Sequence, residues 1–276
     1  MTWKSLGAAF PGALTEARIQ LHWAAQLVSG PGASLLPAQT DYAQTNLGWD
    51  SQLGVLEGRH AGPESLQAGL VFEGLELLVI DGARERSSMR LAGRTLQQAR
   101  AWLGKEMASD EAAIALPVHE MPAHPVGEGA VFSDAGAEAR TELAAWFANA
   151  FASIHDVVAK EPEASPVRCW PHHFDVASLI TLDAGGGAEE ARSIGVGFSP
   201  GDGSYDQPYF YVTPWPYPDK EDLPALTAGA RWHRSGWTGA VLTAERVISV
   251  SLVEQQRTVQ RALDGAVIAC RELLGA

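Results

Sequence analysis

Cysteine is nearly absent from this chain: Cys169 and Cys270 are the two, and neither sits in a Cys-x-x-Cys pair. That scarcity argues against a disulfide framework or a structural zinc knuckle and fits a reducing cytoplasm. Basic residues are also few, 20 Lys and Arg against 33 Asp and Glu, for a formal net charge of −13. Nucleic acid and anionic membrane surfaces reward clustered positive charge, so neither is an expected partner, and a neutral or cationic small organic molecule fits better. No run reaches the roughly 18 apolar residues a spanning helix needs, and Met1 to Gly7 lacks a charged segment leading into an apolar one, so a soluble, cytoplasmic protein is expected. What the chain does have is core: 46% of its 276 residues are hydrophobic, which allows one broad domain or two packed halves.

Periodicity supplies an outline. Leu14, Ala17, Arg18, Leu21, Ala24, Ala25 and Val28 recur at helical spacing until Gly30-Pro31-Gly32, where the helix is expected to stop. Short strands are expected around 45–53, 67–72 and 75–81, then a helix from Thr95, a good N-cap, to about Met107. Residues 108–137 hold Pro, Gly and His with little periodicity and read as a connection. A second series follows: a helix at 137–158, strands at 168–182, 192–199 and 208–215, and a last helix at 252–274. The expected fold class is α+β, with two similar halves, each helix, antiparallel meander and helix, packed as one compact unit and divided as 1–125 and 126–276.

The densest chemistry is Cys169-Trp170-Pro171-His172-His173-Phe174-Asp175. Read as one extended strand through Leu182, it sets His173 and Asp175 on one face and His172 and Phe174 on the other. His172, His173 and Asp175 are therefore the candidate catalytic residues, with Asp175 able to orient an imidazole acting as general base. A His and an Asp two residues apart can equally satisfy each other and hold nothing. Two nitrogens and a carboxylate oxygen also suit a divalent ion such as zinc, held by His173 and Asp175 with a third ligand from elsewhere. Among His22, His60, His119, His124, His155 and His233, the expected contributors are His22, in the first helix, and His233, in the Trp232–Ala240 loop with Arg234; His119 is expected to be peripheral. Arg234 has Asp202 or Asp206 as a structural partner, or a ligand carboxylate. Tyr209, Tyr211 and Thr213 alternate with Phe210 and Val212, and Tyr209, Tyr211 and Trp215 suit a half-wet ligand wall.

Three motifs fail on context. Gly197-Phe198-Ser199-Pro200-Gly201 has the Gly-x-Ser-x-Gly spacing of serine hydrolases, but Pro200 lacks the N–H an oxyanion hole needs and no helix can start at Gly201-Asp202-Gly203, so Ser199 is expected to be structural. His119-Glu120-Met121-Pro122-Ala123-His124 spaces its histidines five apart around a proline, unlike a zinc-protease helix. Gly185-Gly186-Gly187 runs into Ala188-Glu189-Glu190 rather than a phosphate cradle, so no nucleotide cofactor is expected.

Trp170-Pro171-His172-His173-Phe174-Asp175, the Gly-Phe-Ser-Pro-Gly-Asp turn at 197–202 and Pro-Tyr-Phe-Tyr at 208–211 resemble a bacterial family of uncharacterised proteins, a domain of unknown function. The likeness extends to His22 and Gln26, Leu-Gly-Trp-Asp at 47–50 and Met-Pro-x-His-Pro at 121–125. It implies a shared fold and pocket, and no activity. The leading expectation is a small-molecule-binding protein, with hydrolysis as its catalytic version; a sensing module and a protein with merely packed histidines are the alternatives.

Overall fold

The computed structural model describes residues 2–117, 119–183, 191–219 and 222–276. Gly185–Glu190, expected not to form a phosphate cradle, lie outside the described residues. The fold is α+β, and the chain divides into two compact units that interleave in sequence rather than meeting at 125/126. Unit 2 comprises Ala13–Ala144 and Arg168–Phe174; unit 1 comprises Met1–Gly12, Ala145–Val167 and Asp175–Ala276. Among the described residues, no helix is long and apolar enough to cross a membrane.

Unit 2 holds α1 (Thr15–Leu35), α2 (Leu96–Ala108) and an antiparallel meander of β1 (Gly48–Asp50), β2 (Val55–Glu57), β3 (Gln67–Val71), β4 (Glu76–Asp81) and β5 (Arg84–Arg90), in that spatial order. Helix α1 does not stop at Gly30-Pro31-Gly32; it runs on to Leu35 with Pro31 inside it. The glycines serve close approach instead. A Cβ at Gly30 would lie 2.8 Å from Ile114 Cγ2, and one at Gly32 would strike the Gln44 carbonyl. Packing of α1 against the 44 and 114 segments thus offsets the hydrogen bond that proline removes. Thr95 caps α2 as expected, in a reciprocal capping box with Gln98. Buried Arg140, near the start of α3 (Ala137–Val158), donates to the carbonyls of Glu73, Ala135 and Asp134.

In unit 1, β7 (Asp175–Thr181), β8 (Ser193–Ser199), β9 (Tyr209–Trp215), β10 (Arg231–His233) and β11 (Gly239–Thr243) run in the order β10-β11-β9-β8-β7, all antiparallel. Helices α4 (Ala244–Ile248) and α5 (Leu252–Leu274) follow. The strict period of two sends Phe198, Phe210 and Val212 to one face, where they are buried. There Trp146 of α3 stacks on Phe198 at 5.9 Å, and Phe147 meets the same ring edge-on at 5.7 Å. The opposite face carries Asp175, Gly195, Gly197, Tyr209, Tyr211 and Thr213 in adjacent cross-strand rows. Helix-strands-helix recurs along the chain, but the two strand orders differ, and a duplication is not established by it.

Candidate functional site

The expected strand over 168–182 is two strands with a turn between them: β6 (Arg168–Trp170) and β7 enclose a turn at Pro171–Phe174. Pro171 has no N–H to extend a ladder, and the Trp170 carbonyl accepts from the N–H of both His173 (3.2 Å) and Phe174 (2.7 Å). Phe174 closes the turn in the left-handed region at φ 57, which is costly for a residue with a Cβ. Its ring offsets that cost by burial, 1% exposed, stacked on His22 at 5.3 Å and tilted against Phe72 at 6.1 Å. The strand alternation of His172 and His173 is therefore corrected: both project from a turn. They belong to unit 2, and Asp175 belongs to unit 1.

Beneath the turn, α1 supplies two polar side chains one helical turn apart, His22 and Gln26. His22 Nε2 lies 2.8 Å from the Pro171 carbonyl; a carbonyl only accepts, so Nε2 carries the proton and Nδ1 a lone pair. Gln26 donates through Nε2 to the same carbonyl at 2.7 Å and to the His22 carbonyl at 3.1 Å. Both amide hydrogens are committed, which fixes the orientation of the side chain. Its Oε1 is left buried without a hydrogen-bond partner among the described residues, on a residue 1% exposed.

Three further imidazoles complete the group. The His172 ring lies 4.3 Å from that of His173, 6.2 Å from that of His119 and 6.1 Å from Trp170. His119 Nε2 is buried with no hydrogen-bond partner among the described residues. Burial pushes His22 down to about 4, with the charges of His119, Arg18 and His173 adding to the effect and the Pro171 hydrogen bond opposing it. His172, although exposed on the turn, is also lowered to about 4, by the partial burial of its surroundings first and then by His173 and His119. His119 is lowered by burial and by His173. At neutral pH these three rings are uncharged, each with one donor and one acceptor nitrogen. His119, expected to be peripheral, is thus a member of the cluster; no local periodicity marks it, because a loop delivers it.

The unit 1 candidates form a separate arrangement. Tyr211 crosses β8 above Gly197, where a Cβ would collide with its Cζ and Oη, and donates to Asp175 Oδ2 on β7 at 2.5 Å. Tyr209 donates to Asp202 Oδ2 at 2.5 Å. Burial first, and then the paired aspartates, hold both phenols protonated, raised well above their ordinary value. Ser199 Oγ accepts from the Gly201 N–H at 3.1 Å and lies 3.4 Å from Asp202 Oδ2, so it organises a turn. His233 Nε2 donates to the Ser235 carbonyl at 2.8 Å, leaving Nδ1 to accept from the Tyr205 hydroxyl at 2.9 Å. Trp237 stacks on His233 at 4.2 Å and also packs against Tyr209 and Tyr211. Arg234 is exposed in the loop after β10, and it is Arg231 that lies over the Tyr205 ring. Trp215, at the far end of β9, meets Tyr217 instead.

The other histidines have local duties. His124 accepts from the Val126 N–H and bonds Glu16, His60 bonds the Ser65 carbonyl, and His155 is exposed on α3. Among the described residues, no group of three or more His, Cys, Asp or Glu side chains is arranged to hold a metal ion. Fold and site define an α+β chain with an imidazole cluster in one unit and a tyrosine-aspartate sheet face in the other. No protein-family model, curated protein or solved structure matches it.

Proposed function

We propose that the chain binds a small organic molecule at the imidazole cluster of unit 2, with His172, His173 and His119 as contacts and Gln26 beneath them. The observation that supports this reading is unused polar capacity. Folded proteins pair nearly all buried polar atoms. Here Gln26 Oε1 and His119 Nε2 are buried and unpaired, and the rings of His172 and His173 make no hydrogen bond among the described residues. In unit 1, Tyr209, Tyr211, Ser199 and His233 spend their polar atoms on Asp202, Asp175, Tyr205 and backbone.

The chemistry narrows the ligand. The neutral imidazoles each offer one donor and one acceptor nitrogen, so the cluster favours a ligand bearing N–H or O–H groups over a carboxylate or phosphate. An acidic chain with uncharged imidazoles fits a neutral or weakly cationic molecule. Binding outranks hydrolysis because His172, lowered to about 4, is a weak proton acceptor at neutral pH, far from the matched value a general base needs. Asp175, the expected orienting carboxylate, holds the Tyr211 hydroxyl. Two free, buried cysteines accord with a cytoplasmic setting. The turn Trp170–Phe174 and Asp175 are also the residues that carry the family resemblance. The test is a screen of neutral fragments bearing amide, hydroxyl or amine donors by ligand-detected NMR, repeated on His172→Ala and His119→Ala. Each substitution should weaken genuine hits by about 1–3 kcal/mol; hits that tolerate both equally well would move the reading to packed histidines.

A further inference from the structure

We propose that a second site, the open bowl at the end of β9 in unit 1, binds the ring of an uncharged saccharide. The bowl is a concavity of about 590 Å³ whose walls include Leu179, Ser193, Gly195, Thr213, Trp215 and Tyr217. Its shape follows from the sheet register. Leu179, Gly195 and Thr213 form one cross-strand row, and Ser193 with Trp215 forms the next. Gly195 keeps the floor of the first row low by letting the Thr213 side chain lie over it; a Cβ there would sit 2.7 Å from Thr213 Oγ1 and force it away. The indole of Trp215 and the phenol of Tyr217 meet at 5.4 Å and 80°, which makes a corner with one flat wall and one upright wall.

Three large apolar side chains face solvent here: Leu179 is 43% exposed, and Trp215 and Tyr217 are each 45% exposed. Burying an indole gains free energy in proportion to the area covered, so leaving one half in water beside a concavity marks a surface that a ligand can cover. The chemistry of the lining selects that ligand. The described lining is uncharged and offers hydroxyls and apolar carbon, which suits a neutral ligand. Hydroxyls of Ser193, Thr213 and Tyr217 lie beside the aromatic corner, and an alkyl chain would cover them unpaired, at a cost. A pyranose ring presents an apolar C–H face to the indole and hydroxyls to the rim, which matches both kinds of surface at once.

The test uses the full chain on an array of neutral oligosaccharides built from glucose, galactose, mannose, xylose and N-acetylglucosamine, with a parallel set of aromatic and proline-rich peptides. Calorimetry then follows on whatever binds. At least one saccharide class should bind with low-millimolar or tighter affinity, and Trp215→Ala should weaken it at least about tenfold without lowering the melting temperature, since the side chain is half in water. Gly195→Val, whose Cβ would displace Thr213 from the floor and leave the aromatic corner in place, should weaken it as well. His172→Ala should leave it unchanged, which separates this site from the imidazole cluster. No saccharide bound at millimolar concentration, peptide binding alone, or saccharide affinity that survives Trp215→Ala and falls with His172→Ala would each overturn the proposal.

Discussion

Taking the pH from 7.5 to 4 should cost the wild-type chain about 3 kcal/mol of stability that a His22→Gln variant retains. The magnitude comes from the burial of His22 on α1. An imidazole that ordinarily titrates near 6.5 is lowered to about 4 there, and that gap at about 1.36 kcal/mol per pH unit corresponds to about 3 kcal/mol. The sign follows from which state holds the proton. The folded form keeps His22 neutral, while the unfolded chain protonates it below 6.5, so the stabilisation is complete above 6.5, declines as pH falls through 6.5, and is gone near 4. Glutamine offers an N–H to the Pro171 carbonyl and does not titrate, so the variant keeps the contact and loses the linkage. Urea unfolding followed by circular dichroism at pH 7.5, 6, 5 and 4 on both proteins isolates the difference, because every other titrating group is common to them. Parallel pH dependences, within about 1 kcal/mol, would refute the assignment of His22 as a buried neutral imidazole.

Other positions give equally direct expectations. Gly197→Ala should destabilise the chain by about 1–3 kcal/mol in thermal or urea unfolding, because its Cβ would force the Tyr211 ring off β8 and away from Asp175. Arg140→Ala should cost about 3 kcal/mol or more, since it strips one guanidinium from three carbonyl acceptors in a buried place, whereas Arg90→Ala, on an exposed pair with Asp134, should cost under about 1 kcal/mol. Ser199→Ala should lower stability by about 1 kcal/mol through the lost Gly201 contact, and Ser199 should not form an adduct with a fluorophosphonate probe at neutral pH; labelling would restore it as a nucleophile.

Long, strongly periodic segments were readable because burial repeats along them. The helices at 137–158 and 252–274 and the strands ending at Ser199 and Trp215 stand where periodicity puts them. Elements made by tertiary contact were not. Strand β5 reads Arg-Glu-Arg-Ser-Ser-Met-Arg and carries almost no apolar signal, and β10 is three residues long. The end of α1 was hidden because its glycines serve packing against Gln44 and Ile114, residues distant in sequence. At the site, the sequence pointed to His172, His173 and His22, and the structure sets the first two on a turn above the third. The turn itself depends on a left-handed Phe174 stabilised by burial against His22 and Phe72, which no local pattern reveals. His119 and the orphaned Oε1 of Gln26 are products of the fold alone.

The central claim is that the imidazole cluster is a ligand site, and histidine-ring NMR tests it most directly. Long-range proton-nitrogen correlation spectra on uniformly labelled protein resolve the ring nitrogens of His22, His119, His172 and His173, assigned by single His→Gln variants. On titration with fragment hits bearing N–H or O–H donors, nitrogens of His119, His172 and His173 should shift together along one saturable isotherm, while His60, His124 and His155, which make local contacts or face solvent, stay still. Saturable binding that leaves all three cluster histidines unmoved would contradict the account.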